Sequence, residues 1–156
     1  MFEELRDMYQ EVILDHGKKP RNFHRIEDAT CIAHGNNPVC GDTLVIYLTL
    51  NNDEEILEVA FQGHGCAISV ASASMMTEIL KGKKIVEAKR LFEGFQDMCT
   101  KDDFDIKQLS DCDEEALERL TMLSGVKEFP IRVKCATLAW HTMQAAINGE
   151  EAISTE

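Results

Sequence analysis

Apolar positions follow two rhythms along the chain. Phe2, Leu5, Tyr9, Val12 and Ile13 recur at helical spacing and predict a first helix from about Phe2 to Asp15, ended by Gly17 and Pro20. Thr43 to Leu50 alternates instead: Leu44, Ile46, Leu48 and Leu50 point one way, Thr43, Val45, Tyr47 and Thr49 the other. Ile56 to Gln62 repeats that alternation, with Leu57, Val59 and Phe61 on one face. The turn-forming run Asn51-Asn52-Asp53-Glu54-Glu55 lies between the two, so they predict an antiparallel hairpin. A weaker strand from Asp28 to His34 is expected to pair at one edge. The helical rhythm returns from Ala67 to Leu80, where Ile68, Ala71, Met75 and Ile79 share a face and Gly82 suits the end. A short helix follows near Val86 to Phe92, and Asp113 could cap another that runs to Ser124 and ends at Gly125. Pro130 marks a break, after which Ala136, Trp140, Met143 and Ile147 set up a last helix. The polar tail Gly149–Glu156 is expected to be disordered. Strands early and helices late predict an α+β fold: a small antiparallel sheet of about three strands with helices packed on one face.

Length and composition narrow the class. The 156 residues suit one domain, read as residues 1–148, and 44% hydrophobic content is enough for a core without disulfides. Sixteen Lys and Arg against 28 Asp and Glu give −12, a field that repels phosphate backbones, so no nucleic-acid partner is expected. Residues 93–118 hold ten acidic residues and two lysines and read as an exposed acidic insertion. Lys18, Lys19, Arg21 and Arg25 form a basic cluster, which reads either as a solvated loop or as a docking patch for an acidic partner. The longest apolar run, Leu44–Leu48, is five residues, whereas a membrane helix needs about 20. The charged start Met-Phe-Glu-Glu-Leu-Arg-Asp is not a basic region followed by an apolar one, so a cytoplasmic location is expected. Six cysteines in that setting read as thiols or metal ligands rather than a disulfide framework.

Three of the six stand in positions that favour chemistry. Cys40 lies in Asn36-Asn37-Pro38-Val39-Cys40-Gly41-Asp42, before the first strong strand. Residues two apart in extended chain share a side, so Cys40 and Asp42 can face one point, although Asp42 could equally bond its own turn. Cys66, in Gly63-His64-Gly65-Cys66-Ala67, falls where a strand ends and a helix starts. Cys135, after Arg132 and Lys134, is placed just before the last helix. A helix N-terminus favours the thiolate, the metal-binding and nucleophilic form. The bland alternative is that both are compact buried residues. For Cys31, Cys99 and Cys112 that alternative is the expectation, and His64 and His141 are read as packing or loop residues. The best four ligands are then Cys40, Asp42, Cys66 and Cys135. Three sulfurs and one oxygen suit tetrahedral zinc, and could also hold a [2Fe–2S] cluster less firmly than four thiolates would.

The segments Asn37-Pro38-Val39-Cys40-Gly41-Asp42, Gly63 to Ser74 and Arg132-Val133-Lys134-Cys135-Ala136 resemble three motifs of the iron–sulfur assembly scaffolds of the NifU and IscU type. The likeness runs from the first helix, including Asp15-His16 and Pro20-Arg21-Asn22, to about Asn148. Lys134 stands where the general scaffold branch has a histidine, and the acidic stretch is longer than in that branch; both features resemble the SufU branch. That resemblance implies the α+β scaffold fold and zinc on Cys40, Asp42, Cys66 and Cys135. It implies as partner a SufS-type cysteine desulfurase, a pyridoxal-phosphate enzyme that makes a cysteine persulfide, with sulfur passed on to downstream iron–sulfur assembly or acceptor proteins. By the same resemblance the desulfurase supplies a replacement ligand that frees Cys40, the first acceptor, with Cys135 second, while Asp42 keeps the ion and Arg132 helps orient the partner.

Other classes are distinguishable. Assembly of a labile iron–sulfur cluster on the same residues is the alternative role. A cysteine hydrolase with Cys66 as nucleophile and His64 as base would lack any recognisable oxyanion-hole pattern. A structural zinc protein would leave a desulfurase indifferent. A thioredoxin-like role is a poor fit, because no Cys-x-x-Cys occurs.

Overall fold

The computed structural model describes residues 2–101 and 114–154. Its elements are α1 (Phe2–Lys18), β1 (Cys31–Asn37), β2 (Asp42–Leu50), β3 (Ile56–His64), α2 (Ala67–Leu80), α3 (Ile85–Thr100), α4 (Glu114–Leu120), a 3-10 segment (Thr121–Glu128), α5 (Pro130–Ile147) and β4 (Ala152–Ser154). The strands form one sheet in the order β3-β2-β1-β4, antiparallel except for the parallel β1–β4 pair. The α+β class is as expected, with one more strand.

Alternation places Leu44, Ile46 and Leu48 inward, where they join Phe61 beneath α2 and α5. Each such side chain contributes about 1.5–3 kcal/mol on full burial. The core continues through Met75, Leu80, Leu91 and Phe95 to Trp140, whose indole lies 5.3 Å from the Phe95 ring and 6.4 Å from that of Phe92. α2 is buried nearly all round, Ser69, Ser72, Ser74 and Thr77 included, because helices, the sheet and the loop after α1 enclose it. Its small residues let these neighbours approach.

Several expectations are corrected. Leu57 is 46% exposed and Ile56 takes the buried position. The pairing shifts between Thr49↔Glu58 and Leu50↔Ile56, which makes Leu57 the extra residue of a bulge. β1 is not an edge strand, because the polar tail supplies Ala152–Ser154 as β4, paired with His34, Gly35 and Asn36. α1 continues through Gly17 to Lys18; the stop is Pro20, which disfavours helical backbone at Lys19. α3 is more than twice the expected length: Phe95, Met98 and Cys99 are buried on one side while acidic Glu93 faces out, so the start of the acidic segment belongs to a core helix. α4 returns Ala116 and Leu117 to the core. The helix after the acidic segment gives way to a 3-10 turn that runs past Gly125 to Glu128. Asp113, its expected cap, and Cys112 lie outside the described residues. Pro130 opens α5 instead of breaking the chain, since a proline at the first helical position has no partner for an N–H to lose. Among the described residues no helix is long and apolar enough to cross a membrane.

Candidate metal centre

The β1–β2 turn places the first donors. Asn37 ends β1 opposite Asp42, which begins β2, and the loop from Pro38 to Gly41 closes between them. Gly41 has φ +73°, a conformation that favours glycine, and this turn holds Cys40 half-buried at the hairpin tip. Asp42 is fully buried. The β3–α2 connection lies directly against it. A Cβ on Gly63, at φ +137°, would strike the Thr43 carbonyl oxygen, and a Cβ on Gly65 would strike Asp42 Oδ1. With glycine at both places, Cys66 becomes the N-cap of α2, and its backbone N–H donates to Asp42 Oδ1 at 2.8 Å. The carboxylate thus satisfies the N-cap residue's own N–H, one of the donors left without an intrahelical partner at a helix start.

Cys135 approaches from α5, fully buried, with its sulfur 3.1 Å from that of Cys40. Cys40, Asp42 and Cys135 each offer a donor atom within 4.8 Å of the other two. Cys66 stands outside that mutual set, but its thiol adjoins Cys135 closely enough to oppose ionisation there. Burial pushes the Cys135 thiol far up, and Cys40, Cys66 and Asp42 add to the effect. The expected position before the helix is corrected: Cys135 sits in the second turn of α5, beyond the end that would favour a thiolate. A buried cluster of acidic groups that oppose one another's charge is the donor set a divalent cation relieves. Three thiols and a carboxylate match the softness and count of tetrahedral zinc.

The remaining sequence candidates separate cleanly. Arg132 is exposed on the first turn of α5, and Lys134 is half-buried beside Cys135. His64 is exposed at the end of β3. His141 is half-buried with its ring edge-on to Phe92 at 4.8 Å, and burial lowers its pKa. Cys31 packs against the core, and burial pushes the Cys99 thiol up to about 12. His16 is buried, its Nδ1 2.7 Å from Ser74 Oγ, which also accepts the Arg21 backbone N–H at 2.8 Å. Asn22 Nδ2 donates to Thr77 Oγ1 at 3.0 Å, so this stretch pins α1 and its loop onto α2.

Asn37, at the head of the first motif, gains a role only in the fold. It is fully buried, and its Nδ2 donates to Asp42 Oδ2 at 3.3 Å and to Cys135 Sγ at 3.6 Å. The signal available was its place opposite Asp42 across a short turn.

The chain is similar to known proteins over most of its length. The family model of the NifU-like N-terminal domain matches residues 8–136. The chain is 42% identical over 148 residues to the zinc-dependent sulfurtransferase SufU of Bacillus subtilis (strain 168), spanning 94% of each chain. It is 37% identical over 140 residues to the iron–sulfur cluster assembly scaffold protein IscU of Thermotoga maritima, covering 90% of this chain and 92% of that one. Among solved structures, a candidate iron–sulfur cluster assembly scaffold protein for the SUF system from Fervidobacterium islandicum AW-1 superposes with a TM-score of 0.78 at 34% identity, covering 88% of this chain and 94% of that one. With a family match over residues 8–136, relatives alike over most of its length and the same fold, this chain belongs to the NifU-like N-terminal domain family.

Proposed function

We propose that this protein is a zinc-dependent acceptor of persulfide sulfur, working in the cytoplasm with a SufS-type cysteine desulfurase and relaying sulfur to iron–sulfur cluster biogenesis. The observation that carries the reading is the convergence of Cys40, Asp42 and Cys135 within 4.8 Å, with Cys66 adjoining, in a chain similar to a zinc-dependent sulfurtransferase. Cys40, Asp42, Cys66 and Cys135 would hold the ion. Bound zinc would keep the thiols ionised without a neighbouring base.

Each residue then has a distinct task. Cys40, half-buried at the hairpin tip, is a sulfur a partner can reach, whereas Cys135 is fully buried. The Cys40 thiolate attacks the terminal sulfur of the donor persulfide. A new S–S bond forms on Cys40, the donor's S–S bond breaks, and the donor cysteine leaves as a thiolate. No oxidant is consumed. Asp42 is held by the Cys66 N–H and by Asn37 and so keeps its place when Cys40 moves. Arg132, exposed on the first turn of α5, orients the partner by its charge. Similarity to IscU proteins supports a second reading, in which a labile [2Fe–2S] cluster is the cargo built on the same residues.

The test mixes the protein with the desulfurase and cysteine, measures turnover, and locates added sulfur by peptide mapping. Stimulated turnover with sulfur on Cys40, both lost in Cys40→Ala, is the expected result. A Cys40→Ala protein that still stimulates the desulfurase and still gains sulfur would overturn the acceptor assignment. A coloured, transferable cluster formed when iron is added would favour the second reading.

A further inference from the structure

We propose that Asn37 is a positioning residue that sets Cys40 apart from Cys135: its amide ties down Cys135 and Asp42 and leaves Cys40 the more reactive of the two sulfurs. The inference rests on the reading of Cys40 as acceptor and adds what makes Cys40 different from Cys135.

The amide nitrogen of asparagine carries two hydrogens. Here both have a use, one on Asp42 Oδ2 at 3.3 Å and one on Cys135 Sγ at 3.6 Å. The orientation is forced. Turned over, the amide would set its oxygen against the Asp42 carboxylate, acceptor against acceptor. In the orientation observed, Oδ1 is buried without a hydrogen-bond partner. A side chain chosen only to fill this space would be apolar and leave no orphaned oxygen. The fold therefore tolerates an unpaired carbonyl in order to aim two N–H groups at the donor cluster. Backbone pairing fixes the aim, because Asn37 and Asp42 are direct partners across the β1–β2 ladder.

The consequence is chemical. A hydrogen bond to a thiolate sulfur withdraws electron density and lowers its nucleophilicity, as does any effect that stabilises the anion. Cys135 receives this bond, deep in the fold, whereas Cys40 sits at the tip next to Val39, which is 61% exposed. Two thiols with sulfurs 3.1 Å apart are thus made unequal by one neighbour.

The test compares wild type, Asn37→Leu, which keeps the shape and removes both donors, and Asn37→Ser, which keeps one shorter donor. Zinc-loaded proteins are alkylated with iodoacetamide under limiting conditions and the adducts mapped by mass spectrometry. The ratio of Cys135 to Cys40 adduct is expected to rise at least threefold in Asn37→Leu and less in Asn37→Ser, with buried Cys99 silent throughout. In the cobalt-substituted proteins the sulfur-to-metal charge-transfer band is expected to move to longer wavelength in the same order. General loosening of the fold would raise every thiol together, Cys99 included, and would overturn the proposal. So would an unchanged ratio and band position. If Asn37→Leu does not fold, the same two readings on Asn37→Ser decide. No desulfurase is present, so this result is separate from the sulfur-transfer reading, which fails instead if wild-type sulfur maps to Cys135.

Discussion

Gly65→Ala places one methyl group where the β3–α2 connection crosses the β1–β2 turn. The added Cβ would strike Asp42 Oδ1 and lie 3.0 Å from its Cγ and 3.1 Å from its Cβ. The Cβ contact cannot be relieved by rotating the carboxylate, so Asp42 as a whole must shift. Asp42 is buried and held at both oxygens, by the Cys66 N–H at 2.8 Å and by Asn37 at 3.3 Å. Displacing it loses at least one hydrogen bond to a charged group, about 1.5–3 kcal/mol. Taking about 2 kcal/mol, the ratio of folded to unfolded protein falls roughly thirtyfold, read as a lower urea midpoint with an unchanged slope. Zinc affinity, measured by competition with a chromophoric chelator, should fall at least tenfold, because the carboxylate is also a proposed ligand. Gly125→Ala is the control: nothing lies within 4 Å of its Cβ position, and the change should stay within about 0.5 kcal/mol. A Gly65→Ala protein with wild-type midpoint and wild-type zinc affinity would refute the crossing described here.

Other outcomes follow from the same structure. Burial first, then Arg21, lowers the His16 pKa against the weaker pull of Glu78, with Arg119 lowering and Asp15 raising it further. The unfolded chain therefore binds the proton first, and the contribution is intact above about pH 6.5 and lost as pH falls through the folded value. The urea midpoint should decline from pH 7 to pH 5, less steeply in His16→Gln, with half-buried His141 supplying part of the remaining slope. At free zinc about 1,000 times the dissociation constant, binding adds about 4 kcal/mol, so stripping the metal with a chelator should lower the melting temperature by roughly 10 °C in calorimetry. Ile56→Ala should cost about 2–5 kcal/mol by urea unfolding and Leu57→Ala under 1, since Ile56 is buried and Leu57 half-exposed; equal losses would contradict the bulge.

Signals confined to short stretches were the legible ones. α2 spans Ala67–Leu80 as its spacing predicts, because a glycine-flanked start and Gly82 bracket a continuous small and apolar run. The β2–β3 hairpin is equally local, but its bulge is not: alternation continues through Leu57, and only cross-strand pairing shows that the register slips. β4 has three residues and little hydrophobicity, so its strand exists only through β1 beside it. On α3 the acidic side chains obscured a buried stripe of Phe95, Met98 and Cys99. Flanking residues point to Cys40, Asp42, Cys66 and Cys135; the fold brings Cys40, Asp42 and Cys135 within 4.8 Å of one another, with Cys66 beside Cys135 but outside that set. Asn37 carries no such flanking signal, because its role lies in bonds to Asp42 and to Cys135, a residue 98 positions away.

X-ray absorption at the zinc edge of the purified protein tests the four-residue centre most directly. One zinc per chain is expected, with three sulfurs at about 2.3 Å and one oxygen at about 2.0–2.2 Å, and a sulfur count that drops to two in Cys66→Ser. A spectrum without sulfur neighbours, or one that Cys66→Ser leaves unchanged, would contradict it.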